Sequence, residues 1–271
     1  MQLVNAVLRP LFDGLLFPFR GLPPLVGLGA VSLIVSVLML LVFKRTSNQR
    51  KIAAVKAKIT AGLFEIRLFQ DDLGAIFRAQ RDILRHNLAY VGLSLVPLLW
   101  MIVPIMLVIA QLQFHYGYEG LAPGRGALVT VELREDWTER PPVSLEVPEE
   151  LRVDSPAVWL PSLREVVWRI TPQARGDFEI GVVLGSERFA KSIDVTDRVV
   201  RRSPSRLEAG FSNELLQPAE PALPKGAPIR AISVSYPETS SAAGMPTWLW
   251  VFFLLSIVFA FALKGRFGVK I

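Results

Sequence analysis

Histidine, cysteine and paired carboxylates build most catalytic and metal sites, and this sequence offers few of them. It holds two histidines, His86 and His115, and no cysteine. The histidines fall at opposite ends of one apolar block and cannot share a site. Without cysteine there are no disulfides and no thiolate metal ligands. There is no Walker A loop, paired-histidine metal motif, nucleophile elbow or Rossmann glycine fingerprint. The chain is therefore expected to be no enzyme and to carry no metal or cofactor. Arg175-Gly176-Asp177 spells an adhesion tripeptide, but it lies between two predicted strands, where Gly-Asp is ordinary hairpin chemistry. What remains is hydroxyls in apolar surroundings (Ser32, Ser36, Ser94, Ser256) and cations at block ends (Lys44, Arg45, Lys264, Arg266). Such serines bond their own backbone or a neighbouring helix, or else line a polar cavity.

The elements that hold these residues are legible in the distribution of charge. Half of the 271 residues are apolar (51%), and they gather in three blocks that lack Lys, Arg, Asp and Glu although 20% of the chain is charged. The blocks run over 25–43, 88–113 and 245–263. Each approaches the ~20 residues that cross a bilayer core. A charge near the centre of such a helix costs ~2.5–3.5 kcal/mol, so its absence predicts three transmembrane helices. Lys44-Arg45, in place of a small-residue cleavage site, marks the first block as a retained helix.

Charge also predicts orientation. Residues 44–86 hold ten Lys/Arg against four Asp/Glu, whereas residues 114–241 hold fifteen against nineteen. The tail, 264–271, adds three cations and no acid. Cytoplasmic loops carry the Lys/Arg excess. The expected protein is thus a multi-pass plasma or inner membrane protein with its N-terminus outside and its basic tail in the cytosol. Its net charge of +6 is explained by cytosolic anchoring and attraction to anionic lipid.

Between the blocks, residues 1–24 read as an interfacial amphipathic segment on the outer face. Leu8, Leu11, Phe12, Leu15, Leu16 and Phe19 form its apolar side, Pro10 and Pro18 break it, and Asp13 lies on its polar side. Residues 44–87 read as a basic coiled-coil hairpin broken at Gln70–Gly74, with Asp71 or Asp72 capping the second arm. Its first arm carries Arg50, Lys51, Lys56, Lys58 and Arg67, a solvated face or a docking surface for an acidic partner or lipid. Residues 114–244 read as an external β-rich domain. Alternating runs begin near Leu128, Val143, Glu165, Phe178, Phe189 and Ile229 with turns between them, which predicts an immunoglobulin-like sandwich with Trp168 in its core. Pro-, Ser- and Ala-rich 201–228 reads as a loop.

This order of elements resembles the YidC/Oxa insertase superfamily, in particular its three-helix branch of archaeal YidC-like proteins and endoplasmic reticulum insertase subunits. The closest stretch is Leu22–Asn87, above all Leu33–Gln49 (LIVSVLMLLVFKRTSNQ), and with the other two helices the likeness covers about half of the chain. The resemblance implies a membrane protein insertase or chaperone without nucleotide hydrolysis. Its helices would form a hydrophilic groove open to the cytosol, with Ser32, Ser36, Ser94, Ser256 and the cations Lys44, Arg45, Lys264 and Arg266 as candidates. The hairpin would meet the ribosome or a delivery factor, and the clients would be nascent membrane proteins. The chain departs from bacterial YidC in having no cation within its first helix, and its external domain lies between helices two and three. A membrane-anchored interaction module, or an accessory subunit that binds a partner through the β-domain, accounts for the same layout.

Overall fold

The computed structural model describes residues 2–137 and 139–269. Lys270 and Ile271 of the basic tail lie outside the described residues. The chain forms a helical part and a separate β-sheet region. Two compact units result: the chain up to Gly27 joins Leu107–Trp250, and Leu28–Met106 joins the chain from Val251 onward.

Among the described residues there are six α-helices: α1 (Gln2–Leu16), α2 (Pro24–Thr46), α3 (Gln49–Leu68), α4 (Leu73–Tyr116), α5 (Phe211–Leu216) and α6 (Thr247–Leu263). Two of them, α2 and α4, are long and apolar enough to cross a membrane. The third apolar block forms α6, which is shorter at 17 residues. The hairpin breaks where the sequence predicts: Asp72 Oδ1 accepts the amide of Ala75 at 3.0 Å and caps α4. A second break, at Ser47–Asn48, was not legible. Asn48 Oδ1 accepts from the Lys51 amide at 3.0 Å and starts α3 as a new helix. By contrast α4 runs unbroken through Pro97 and Pro104 for 44 residues.

The hairpin arms meet where a side chain is missing. A Cβ on Gly62 would come within 2.7 Å of Ile83 Cγ1, so glycine lets the backbones approach. Ile52, Ala75 and Ala79 are buried with it. Of the apolar positions that recur at helical spacing along the arms, Leu63, Phe69, Leu73 and Phe77 are exposed, as are Phe64 and Leu68 outside that series. Two helices alone have too few neighbours to cover every apolar position at the tip.

Eleven strands are described. The larger sheet contains β1 (Ala127–Leu133), β3 (Leu151–Val153), β4 (Val158–Leu160), β5 (Glu165–Pro172), β8 (Ser205–Leu207) and β9 (Ile229–Val234). Its order is β3-β5-β1-β9-β8, with β4 also paired to β5. The smaller sheet pairs β2 (Val143–Glu146), β6 (Gly176–Leu184) and β7 (Glu187–Val195) in the order β2-β6-β7. A two-stranded pair, β10 (Ser241–Ala242) and β11 (Met245–Pro246), precedes α6. Alternation works as period-two burial predicts. Val129, Val131 and Leu133 of β1 point into the same core as Ile180 and Val182 of β6, and Trp168 lies among them. Each such side chain, fully buried, contributes ~1.5–3 kcal/mol. Gly185, at φ +63°, makes the tight turn from β6 to β7.

Two sequence expectations change in this unit. Residues 201–228 are not a free loop: they contribute β8 and α5, and Arg202, Ser203, Ala219 and Leu223 are buried. The reason is electrostatic. Lys191 on β7 is 0% exposed, and a buried ammonium requires acceptors. It donates to Glu220 Oε2 at 2.8 Å and to the Ser203 carbonyl at 2.5 Å. Glu220 also accepts from the Ser203 hydroxyl at 2.8 Å, so this segment is held down by a network. Burial lowers the Lys191 pKa, and Glu220 opposes that shift.

The second change concerns α1. Pro10 lies within it and does not break it. Its buried side is Asn5, Phe12 and Leu16, while Leu3, Val7, Leu11 and Phe17 are exposed. Asn5 Nδ2 donates to the Glu214 carbonyl at 2.5 Å. Arg9 donates to the carbonyls of Pro218 and Glu220 at 2.5 and 2.9 Å. Asp13 does not face water. It accepts from Arg201 at 2.8 Å and lies 3.3 Å from His115 Nε2. Burial works against ionisation of Asp13, but His115 and Arg201 hold its pKa below the usual carboxylate range. The polar side of this amphipathic helix faces protein, together with Phe12 and Leu16, while Leu3, Val7 and Leu11 stay exposed.

Candidate functional site

The four serines separate into two environments. Ser32 and Ser36 lie on one face of α2 and are 0% and 2% exposed. The Ser36 hydroxyl donates within its own helix to the Ser32 carbonyl at 2.6 Å, and it lies 2.9 Å from the Ser256 carbonyl of α6. It thus links two helices through an otherwise intrahelical carbonyl. Ser32 Oγ and Ser256 Oγ are buried beside it without partners. These three serines are packing contacts between α2 and α6, and none of them lines the groove described next. Ser94 differs: it donates to the Tyr90 carbonyl at 3.0 Å and faces a groove.

That groove has a volume of about 370 Å³ and lies among α2, α4 and α6. Met39, Leu40 and Phe43 form one wall, Tyr90, Ser94, Leu98 and Met101 the other, and Ala260 closes one side. Leu95 and Leu98 are exposed at its open side. Its lining is apolar apart from Ser94 and the Tyr90 hydroxyl. The expected hydrophilic interior is absent from this groove because the other three serine side chains are buried between helices. Of the eight sequence candidates for a groove, only Ser94 lines it.

The candidate cations cluster at the end of the groove marked by Phe43 and Tyr90. Lys44 Nζ donates to the Phe267 carbonyl at 2.9 Å, which binds the end of α2 to the turn after α6. Lys264 Nζ sits 4.4 Å from the Phe261 ring centroid, a cation–π contact. Arg45 and Arg266 are exposed. On the hairpin, Arg50, Lys51, Lys58 and Arg67 are exposed, and Lys56 lies 5.3 Å from the centroid of the Tyr90 ring. The groove-wall tyrosine is therefore touched by the hairpin itself.

Sequence reasoning missed two features of this unit. Methionines 39 and 101 both line the groove, where flexible thioethers fill irregular space; a methionine in an apolar block gives no signal of its own. The hairpin tip presents Phe64, Leu68, Phe69, Leu73 and Phe77 to solvent. Phe69, Leu73 and Phe77 recur at helical spacing in the sequence, which fits a coiled-coil seam, whereas Phe64 and Leu68 fall outside that series.

Among the described residues no group of three His, Cys, Asp or Glu side chains could hold a metal ion. No protein-family model, curated protein or solved structure matches the chain.

Proposed function

We propose that this chain is a membrane protein insertase or chaperone of the YidC/Oxa type, working without nucleotide hydrolysis. In this reading α2, α4 and α6 all span the bilayer, the hairpin and the tail are cytosolic, and the two-sheet unit is an external immunoglobulin-like domain. One observation carries the proposal: an apolar groove lies between the three apolar helices, with four cations and the base of the hairpin at one end.

The physics differs from that of a hydrophilic vestibule. An apolar groove offers no gain over lipid tails to a segment already in the bilayer. It does offer a gain to a segment arriving from water, at roughly 25 cal/mol per Å² of apolar surface covered. The groove is a first apolar resting place close to the cytosolic surface, from which the client passes into lipid. The exposed apolar tip and the basic face of α3 would meet a nascent chain, a ribosome or a delivery factor before that. A second reading, a membrane-anchored interaction module or accessory subunit, is favoured by a charged pocket in the β-rich unit.

Site-directed photocrosslinking in cells tests the proposal. Probes at Met39, Ser94 and Leu98 are expected to capture newly made membrane proteins, and a probe at the exposed Ile257 of α6 is not. Ser94→Trp, which fills the groove, is expected to lower client insertion. Capture of one stable neighbour only, with insertion unchanged in S94W, would leave the second reading.

A further inference from the structure

A pocket of about 430 Å³ lies wholly within the β-rich unit. It is lined where α4 ends, by His115 and Tyr116, where α2 begins, by Pro24, and by two connections of the β-domain. Glu119 and Arg125 come from the connection into β1, and Asp197, Arg198 and Arg202 from the one after β7. Arg202 is buried, with its guanidinium held by three carbonyls: Tyr118 at 2.9 Å, Arg198 at 2.7 Å and Thr196 at 3.1 Å. Its Nε has no acceptor. Among the described residues no carboxylate lies within ion-pair distance of Arg202, Arg125 or Arg198. Asp197 is engaged by Arg175 at 2.6 Å, on the surface. Glu119 makes no ion pair among the described residues.

The pocket thus sets two exposed guanidinium groups, and the buried Arg202 with its unpaired Nε, against one carboxylate that makes no ion pair. Guanidinium groups pair with phosphate oxygens through charge-assisted bonds, and a lone carboxylate beside them accepts from an ammonium. A phosphate ester with a primary amine supplies both charges in one small group. The pocket's position argues for a lipid source, because it lies where both long apolar helices meet the β-domain. Tyr116, stacked on Trp248 with ring centroids 6.5 Å apart, belongs to the aromatic pair types found at that depth.

We propose that this pocket binds the headgroup of an amine-bearing phospholipid, its phosphate on Arg125, Arg198 and Arg202 and its ammonium on Glu119. The site rests on the membrane reading of α2 and α4 and is independent of insertase activity. Through it the β-domain would recognise the leaflet to which it is attached, and recognise it by headgroup.

The test uses the full chain, delipidated in neutral detergent, and counts retained lipid by native mass spectrometry. Phosphatidylethanolamine is expected to be held in preference to phosphatidylglycerol, which lacks the amine. The double variant Arg125→Ala/Arg198→Ala is expected to hold it about tenfold more weakly. Arg140→Ala/Lys225→Ala, which removes two exposed cations elsewhere, leaves retention unchanged. Glu119→Gln is expected to abolish the preference between the two lipids. Equal retention by R125A/R198A and wild type would overturn the site, as would equal retention of the two lipids by wild type. Soluble phosphoethanolamine bound as tightly as the lipid would assign the pocket to a soluble ester and overturn the lipid. Alkaline extraction of membranes separates the two failures. A chain released by it refutes the membrane reading, whereas one that stays but shows no arginine-dependent retention refutes the pocket alone.

Discussion

Replacing Asp194 by Asn is expected to stabilise the protein at neutral pH. Asp194 lies on β7 between the buried Lys191 and the end of the strand. Burial, reinforced by the nearby Asp177 charge, pushes its pKa up to about 6 from an ordinary 3.8. A carboxyl whose folded pKa is raised binds its proton more tightly when folded. It therefore favours folding at low pH, and that contribution is lost as pH climbs from about 3.8 through about 6. At 1.36 kcal/mol per unit, the difference amounts to about 3 kcal/mol once the group is ionised in both states. An amide at this position removes that cost, which is already the net of burial and Asp177 against the favourable charges of Arg202 and Lys191. A gain of roughly 1–3 kcal/mol at pH 7 is expected. Denaturant unfolding of the full chain in detergent, followed at pH 4, 5, 6 and 7 for wild type and D194N, gives the answer. The difference between the two should be small at pH 4 and grow to its full size by pH 7. Taking the difference cancels groups such as Asp13, whose lowered pKa gives the opposite slope at lower pH. A constant difference across the series, or a variant less stable at pH 7, would refute the assignment of Asp194 as a half-buried acid with a raised pKa.

Two further changes probe the elements around the candidate sites. Gly62→Leu places a side chain where a Cβ alone already comes within 2.7 Å of Ile83; the arms should separate at a cost of roughly 1–3 kcal/mol. Because the chain has no cysteine of its own, a thiol crosslink between Lys56→Cys and Tyr90→Cys reads this directly, and its yield should fall in G62L. Asn5→Ala with Arg9→Ala removes the hydrogen bonds that hold α1 against 214–220, at about 1 kcal/mol per bond. Limited proteolysis should then cut faster around α5, while cutting in the β6–β7 turn stays unchanged.

How much of this was legible in the sequence depends on whether the deciding partner was local. The longer strands were, because alternation such as that of Leu128–Leu133 needs only one buried face, whereas the short β3, β4, β8, β10 and β11 carry too few residues to alternate. The cap at Asp72 was also legible, since it bonds three residues ahead. The face of α1 was not. Asn5, Arg9 and Asp13 lie on one side of the helix, and a polar side normally faces water. Here backbone carbonyls at 214–220 and the side chains of Arg201 and His115 take the place of water, and these lie far along the chain. The segment 201–228 failed for the same reason, as nothing in a Pro- and Ser-rich run indicates that Lys191 will draw Glu220 inward. For the serines, spacing placed Ser32 and Ser36 on one helical face, which was right. Whether that face met a cavity or another helix depended on α6, and α6 met it.

The break at Ser47–Asn48 gives the two arms of the hairpin unequal mechanics. On one side α4 is a single rod of 44 residues, about 66 Å at 1.5 Å per residue, and it carries both the tip-proximal residue Phe77 and the groove wall from Tyr90 to Met101. On the other side α2 and α3 are separate helices joined by two residues. A joint absorbs rotation and a rod passes it on. A push on the exposed tip therefore reaches the groove through α4, tilting that wall while Met39, Leu40 and Phe43 on α2 stay in place. The two walls of the groove would thus answer differently to a force applied at the tip, one carried by a continuous helix and the other set apart by a joint.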